Sequence, residues 1–148
     1  MKSISVFAAL VVSFLAGISA QAADAGWQTD YKTALEQAAK ENKYVLLNFT
    51  GSDWCGWCIK LSKDTFSKPA FQEYADKNLV LVEVDFPNNK MQSDLLIKQN
   101  QELQQKYGVE GFPTLVLLDP KGKEVARNVG YLQGGPEGFI NWVKNAEK

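Results

Sequence analysis

Histidine is absent from this 148-residue chain, and cysteine occurs only twice, at Cys55 and Cys58. Without histidine, the chain cannot carry a His-dependent catalytic triad, an HExxH zinc-protease motif, CxxCH haem attachment, or a zinc or copper site ligated by histidine. A structural zinc site needs about four ligands, so two thiolates would suffice only if two chains shared the site or carboxylates joined it. The composition therefore predicts no metal and no cofactor.

Neither sign of charge is in excess, because 16 Lys and Arg residues face 17 Asp and Glu residues and give a net charge of −1. A chain without a basic field has nothing to hold nucleic acid or an anionic membrane surface. The chain is 45% hydrophobic and 22% charged, which is typical of folded globular proteins and too apolar for a disordered one. Its length favours one domain over two.

The N-terminal segment has the three parts of a secretory signal peptide. Lys2 supplies a positive charge, residues 4–20 form an uncharged and mostly apolar run, and Ala-Gln-Ala at 20–22 is a small-residue cleavage site. We predict that residues 1–22 are removed and that residues 23–148 form the mature domain. A membrane anchor is the alternative, although the run is at the lower limit of length for spanning a bilayer. Cleavage implies a periplasmic or secreted protein, in a compartment where disulfides form and persist.

The rest of the sequence alternates between strand and helix patterns. Three nearly continuous apolar runs, at 44–49, 79–85 and 114–118, are typical of strands buried on both sides of a sheet. A turn at 119–122 returns the chain antiparallel over 123–130. Helices are expected over 31–42, 55–63, 67–77, 93–107 and from 136 onwards. This order predicts a single α/β domain whose mixed sheet is covered by helices on both faces.

The chemistry is carried by the segment Trp54-Cys-Gly-Trp-Cys58. At the first turn of a helix, free N–H groups and a partial positive charge stabilise a thiolate. Cys55 is therefore predicted to be the more exposed and more acidic thiol, which attacks a substrate disulfide. Cys58, one turn further, is predicted to be more buried and to release the substrate by attacking Cys55. A purely structural disulfide is the alternative, but closing so small a ring contributes only about 2 kcal/mol through loop entropy.

Two segments resemble the signatures of one family. The first resembles the active-site segment of the thioredoxin superfamily, in the form found in bacterial exported thioredoxin-like proteins, and reads Phe49-Thr-Gly-Ser-Asp-Trp-Cys-Gly-Trp-Cys-Ile-Lys60. The second resembles the family's cis-proline loop and reads Tyr107-Gly-Val-Glu-Gly-Phe-Pro-Thr-Leu-Val116. The resemblance covers residues 27–148. It implies a thioredoxin fold, with a β-α-β-α-β-β-α core, an N-terminal helix and helices on both faces of a mixed central sheet.

The resemblance also implies which residues bind the substrate. The Phe112–Pro113 bond is expected to be cis and to lie beside the cysteines, where the main chain of Phe112 can pair with an extended substrate segment. Trp54, Gly56 and Trp57 surround the thiols, and the two indoles offer apolar surface to a client protein. Either tryptophan could instead serve in packing, and Pro113 could be a trans proline that starts a strand.

One departure from the family pattern concerns proton transfer. Many thioredoxins carry a buried aspartate in the strand before the motif, and the matching residue here is Asn48, which cannot titrate. The lysine that partners that aspartate is also absent, because residues 79–84 are apolar except for Glu83. Asp53, Glu83 or water is therefore expected to move the proton, if one must be moved. Asp53 is also expected to raise the pKa of Cys55 by like charge.

The leading prediction is an exported thiol–disulfide oxidoreductase that reduces protein disulfides through Cys55 and Cys58. Its expected partners are proteins with disulfides or thiols and a membrane thiol that donates electrons, and it is expected to act as a monomer. The alternatives are a disulfide oxidase or isomerase, and a redox-inert binding module on the same scaffold. Metal delivery is disfavoured, because copper-handling relatives use a histidine together with the two cysteines.

Overall fold

The apolar runs of the sequence form the strands of one sheet in the computed structural model, which describes residues 26–148. In chain order the elements are β1 (Trp27–Gln28), α1 (Tyr31–Glu41), β2 (Tyr44–Thr50), α2 (Gly56–Leu61), a π-helical turn (Ser62–Phe66), α3 (Pro69–Asn78), β3 (Leu79–Asp85), α4 (Asp94–Lys106), β4 (Thr114–Leu118), β5 (Glu124–Val129) and α5 (Gly135–Ala146). The predicted signal peptide, residues 1–22, lies outside the described residues.

The strand that precedes the cysteines is the centre of the sheet. The five strands lie in the order β1-β3-β2-β4-β5. β2 pairs in parallel with β3, from Tyr44 opposite Leu79 to Thr50 opposite Asp85. It pairs antiparallel with β4, and β4 and β5 form an antiparallel hairpin. The predicted mixed sheet is therefore confirmed.

Side chains of β2 alternate between two hydrophobic cores, because successive residues of a strand point to opposite faces of the sheet. Val45, Leu47 and Phe49 pack in a core that contains residues of α1 and α4. Leu46 packs in the core on the opposite face, with residues of α2, α3 and α5. Both faces are thus covered, which explains why this run is apolar without alternation.

Polar residues interrupt the second core towards the carboxyl ends of β2 and β3. Asn48 follows Leu46 by two positions, so its side chain shares the face that α2 covers. Glu83 follows Leu81 in the same way on β3. Asn48 and Glu83 are direct register partners in the parallel pair. The sheet therefore places an amide and a carboxylate side by side beneath α2.

Capping residues define where the helices begin. Asp30 accepts a hydrogen bond from the N–H of Thr33 at 2.7 Å and caps α1. Ser93 caps α4 through the N–H of Leu96. Such side chains replace the partner that the first N–H groups of a helix lack. Of the helices in the described part of the chain, none combines the length and the apolar character needed to cross a membrane.

Two features were not predicted from the sequence. β1 is a two-residue strand in which Trp27 lies opposite Leu81 of β3. The π-helical turn follows α2 without a break, and the N–H of Ser67 donates to the carbonyl of Ser62 at 2.9 Å. The helix predicted over 55–63 therefore ends as an α-helix at Leu61, and the wider turn directs Phe66 into the core.

Candidate active site

Cys55 is the N-cap residue of α2, with an extended backbone at φ −84° and ψ 105°. Its Sγ accepts a hydrogen bond from the backbone N–H of Cys58 at 3.2 Å. The two cysteines are joined by a disulfide whose Cα atoms are 5.2 Å apart, within the usual range. A donor that points at Sγ would also stabilise the thiolate that Cys55 becomes on reduction.

Both cysteine side chains are largely covered, with exposed fractions of 8% for Cys55 and 4% for Cys58. The sequence predicted Cys55 to be the more exposed, and this order is found with a small margin. The open surface belongs to the neighbouring residues Trp54, Trp57 and Ile59, each about half exposed. A client that reaches the disulfide must therefore contact these apolar side chains.

The indole of Trp54 is held in place from two sides. Its Nε1–H donates to the carbonyl of Phe86 at 2.7 Å. Behind it lies Gly51, where an added Cβ would overlap the indole ring. The N–H of Cys55 donates to the carbonyl of Gly51 at 2.9 Å. A glycine at this position therefore lets the loop close tightly on Trp54 just before the first cysteine.

Asp53 is bonded to the loop after β3. Its two carboxylate oxygens accept hydrogen bonds from the N–H of Asn88 at 2.9 Å and of Asn89 at 2.7 Å. These bonds, that of Asn88 first, hold the pKa of Asp53 below its ordinary value. Asp53 therefore anchors this loop to the segment that precedes Cys55.

The Phe112–Pro113 peptide bond is cis, as the resemblance implied. The ring of Phe112 contacts Trp54 edge to face, with centroids 6.0 Å apart, and stacks on Phe86 at 5.1 Å. Pro113 is buried, and its carbonyl accepts from the N–H of Gly130 at 2.8 Å. Within residues 26–148, the main-chain groups of Phe112 have no hydrogen-bond partner. An extended segment can therefore pair with them.

Trp57 lies on the other side of the cysteines and packs against Tyr131, with ring centroids 5.6 Å apart. The hydroxyl of Tyr131 donates to Asp64 at 2.9 Å, and the ammonium of Lys60 bonds the same carboxylate oxygen at 2.5 Å. Lys60 and, after it, Tyr131 lower the pKa of Asp64 through these bonds. Trp57 is thus supported by a polar cluster while 60% of it stays exposed.

A cavity of about 530 Å³ lies behind Cys58. Its floor is formed by β2 and β3, and α2 and the π-helical turn form its other wall. Asn48, Thr50, Ser52, Cys58 and Glu83 are among its lining residues. Polar side chains therefore lie beside the buried Cys58, and sequence reasoning did not predict this cavity.

Ser52 and Asp85 also contribute to the site and were not predicted. The Oγ–H of Ser52 donates to Asp85 at 2.6 Å, and its N–H donates to the other carboxylate oxygen at 2.9 Å. The available signal was the position of Asp85 at the end of a strand that runs parallel to the strand before the motif. Residues that follow neighbouring parallel strands meet at one edge of the sheet.

Comparisons with known proteins agree with this geometry. The family described as thioredoxin-like domain matches residues 31–147. The disulfide bond reductase DsbH of Chlamydia pneumoniae is 42% identical over 127 residues, covering 86% of this chain and 75% of that protein. A solved structure of a DsbH oxidoreductase superimposes with a TM-score of 0.75 at 42% identity, covering 81% of this chain and 82% of that one.

A second relative contains a similar segment within a much longer chain. The thiol:disulfide interchange protein DsbD of Actinobacillus pleuropneumoniae serotype 5b is 34% identical over 107 residues, which cover 71% of this chain and 16% of that protein. Together these matches confirm the predicted thioredoxin fold and the predicted class of activity, protein-disulfide oxidoreduction. The chain belongs to the thioredoxin-like domain family.

Proposed function

We propose that this chain is exported to the periplasm or secreted and works there as a reductant of protein disulfides, with Cys55 as the attacking thiol and Cys58 as the second thiol. The observation that carries the proposal is the hydrogen bond from the N–H of Cys58 to Sγ of Cys55. This bond supports Cys55 as the sulfur whose negative charge the helix would stabilise. A relative of which the chain covers 75% is named a disulfide bond reductase, which favours reduction over oxidation.

The reaction divides into two exchanges. The Cys55 thiolate attacks one sulfur of a client disulfide, the client's S–S bond breaks, and the departing sulfur takes a proton. The Cys58 thiol then loses its proton and attacks Sγ of Cys55, and the second client sulfur leaves as a thiolate. The client gains two electrons, and the protein ends with the Cys55–Cys58 bond that the structure contains.

The client is held by its main chain and by apolar contact. The N–H and carbonyl of Phe112, beside the cis Pro113, can pair with an extended client segment as a short added strand. Trp57, with most of its indole exposed, and the open half of Trp54 provide apolar surface on either side. Gly56 lies between the cysteines, and a Cβ there would meet nothing within 4 Å, so the client can approach the sulfurs closely.

A reductant in an oxidising compartment needs electrons from elsewhere. We propose that a membrane-embedded thiol protein supplies them by reducing the Cys55–Cys58 disulfide, and that a signal peptide at residues 1–22 delivers residues 23–148 as a monomer. The same exposed surface around Trp57 would serve the donor and the client in turn, because both must reach Cys55.

The proposal is tested by insulin reduction in the presence of dithiothreitol and by a redox titration against glutathione. The mature chain should speed the reduction of insulin, which is followed by the precipitation of the reduced insulin, and Cys55→Ser should abolish this activity. Cys58→Ser should instead trap mixed disulfides with clients through Cys55. A reductant should titrate nearer to the thioredoxin value of about −270 mV than to the value of about −120 mV found for a strong oxidant. Activity retained by Cys55→Ser, or a potential at the oxidising end, would contradict the proposal.

A further inference from the structure

Three aromatic residues beside the active site come from three different segments of the chain. Trp54 immediately precedes Cys55, Phe86 begins the loop after β3, and Phe112 precedes the cis Pro113. Each of the three contacts the other two, and together they form a cluster that we call the aromatic triangle. Contacts between segments so far apart along the chain fix where these segments lie relative to one another.

One hydrogen bond and two ring contacts close the aromatic triangle. The Nε1–H of Trp54 donates to the main-chain carbonyl of Phe86 at 2.7 Å. The ring of Phe86 stacks on that of Phe112, with the ring planes 23° apart and the centroids 5.1 Å apart. The ring of Phe112 meets Trp54 edge to face, with centroids 6.0 Å apart. Stacked and edge-to-face arrangements are the favourable geometries of aromatic pairs, so both ring contacts stabilise the cluster.

Phe86 is the member of the triangle that is fixed to the sheet. Its main-chain N–H donates to the carbonyl of Thr50 at 2.8 Å, which continues the pairing of β2 with β3 by one residue. Its ring is partly buried and packs against the core that contains residues of α1 and α4. The loop that it begins is tied to Asp53 by the N–H groups of Asn88 and Asn89. Phe86 therefore connects the cis-proline loop to the end of the central strands.

The position of Phe112 depends on its ring and on its covalent neighbours. No described residue forms a hydrogen bond with its main-chain N–H or carbonyl, whereas its ring contacts Phe86, Trp54 and the first core. A client segment that pairs with this main chain must at the same time present its sulfur to Cys55. Holding the pairing edge in place before the client arrives lowers the cost of binding.

We propose that Phe86 is a positioning residue for protein clients. By stacking on Phe112, its ring holds the pairing edge at the place where the disulfide of a paired client meets Cys55. Phe86 acts through Phe112 and does not touch the reacting sulfurs. A small disulfide without a peptide segment does not use the edge, so the ring of Phe86 matters for protein clients alone. This inference rests on the proposed function, in which the client pairs with the main chain of Phe112 as an added strand.

The test compares insulin with a chromogenic nitroaryl disulfide, which has no peptide segment to pair. Phe86→Leu removes the stacked ring but keeps the main-chain carbonyl that accepts from Trp54. It should raise KM for insulin about five- to tenfold, with dithiothreitol in excess, because an aromatic contact is lost. It should change kcat for insulin, and the stopped-flow rate constant of the reduced protein with the nitroaryl disulfide, less than about twofold. Such a split indicates weaker client binding with unchanged chemistry.

Two control variants separate positioning from a general loss of packing. Phe86→Tyr keeps an aromatic ring and should keep KM for insulin within about twofold of the parent value. Phe71→Leu removes a ring that stacks on Trp27 in the core on the opposite face of the sheet. It should lower the free energy of unfolding, measured by urea denaturation, and leave KM for insulin unchanged.

Phe112→Leu tests the stacked contact from its other side, because it removes the second ring and keeps the main chain that pairs. It should raise KM for insulin at least as much as Phe86→Leu, since the contact with Trp54 is lost as well. Residues that act through one contact have non-additive effects. The double variant of Phe86→Leu with Phe112→Leu should therefore have the KM of Phe112→Leu, within about twofold.

An unchanged KM for insulin in Phe86→Leu would overturn this inference and leave the proposed function intact. An equal loss of rate with the nitroaryl disulfide, or an equal rise of KM in Phe86→Tyr or Phe71→Leu, would also overturn it. Effects of Phe86→Leu and Phe112→Leu that multiply in the double variant would show that the two rings act independently, which also contradicts it. A parent protein that reacts with the nitroaryl disulfide but not with insulin would overturn the proposed function, and this inference with it.

Discussion

Asp85 holds Ser52 by two hydrogen bonds, one from the backbone N–H at 2.9 Å and one from Oγ–H at 2.6 Å. The same Oγ accepts a hydrogen bond from the ammonium of Lys90 at 2.9 Å. Asp85 has an exposed fraction of 8%, and a buried carboxylate is stable only when it is paired. The end of β3 thus fixes the loop that leads into Cys55, which makes Asp85 a positioning residue for the first cysteine.

Asp85→Asn should destabilise the protein, because an amide cannot accept both hydrogen bonds as well as a carboxylate can. We expect the free energy of unfolding to fall by about 1–3 kcal/mol, measured by urea denaturation. Combined with Ser52→Ala, it should show a coupling energy of about 0.5–3 kcal/mol. Asp76→Asn is the matched control on an exposed residue of α3. Equal losses from Asp85→Asn and Asp76→Asn would show that the contact with Ser52 contributes nothing.

Gly51→Ala should disturb the position of Trp54. The new Cβ would overlap the indole ring, so the ring must move and its bond to the carbonyl of Phe86 must lengthen or break. Crowding of this kind costs about 1–3 kcal/mol of stability. The insulin assay should also slow, because the loop before Cys55 shifts with the ring.

The stability control for this prediction is Gly56→Ala, since a Cβ at Gly56 meets nothing within 4 Å. Gly56 is the first residue of α2, where alanine is the better helix former. The free energy of unfolding of the Gly56→Ala protein should equal that of the parent or be slightly higher. A Gly51→Ala protein as stable as the parent, with unaltered tryptophan fluorescence, would show that the loop accommodates a methyl group.

The order of strands and helices was predictable because buried strands and capped helices leave local signals. The runs at 79–85 and 114–118 match β3 and β4 residue for residue. β1 left no such signal, because two residues on a sheet edge have no periodicity to detect. The π-helical turn also left no signal, because its residues form an ordinary helical pattern. Only its hydrogen bonds, which join residues five apart instead of four, distinguish it from an α-helix.

The site was predictable only where its residues are neighbours along the chain or in the family pattern. Cys55, Cys58 and the cis Pro113 were identified from their two segments, and the structure contains both the disulfide and the cis bond. Ser52 and Asp85 are 33 residues apart, and their contact depends on the parallel register of two strands. The sequence offered Asp53 and Glu83 equally as proton acceptors, and only the fold shows that Asp53 bonds the loop after β3 and that Glu83 lines the cavity.

Stability at alkaline pH should report on a hydrogen-bonded pair of tyrosines. The hydroxyls of Tyr31 and Tyr107 lie 2.7 Å apart, and Tyr107 is largely buried. Burial, followed by the hydrogen bond with Tyr31, raises the pKa of Tyr107 well above its ordinary value. The folded state therefore keeps a proton that the unfolded state loses.

The sign of the effect follows from this difference in bound protons. Below pH 10, the ordinary pKa of tyrosine, both states are protonated and the contribution is fully present. Above it the unfolded state binds fewer protons, so the free energy of unfolding should fall by up to about 1.4 kcal/mol per pH unit. Tyr107→Phe should flatten this decline in urea denaturation curves recorded between pH 9 and pH 11. Tyr131→Phe is the comparison for a tyrosine whose pKa is raised first by a hydrogen bond, the one to Asp64, and it should flatten the decline as well. If Tyr107→Phe leaves the slope unchanged, Tyr107 does not resist ionisation in the folded state.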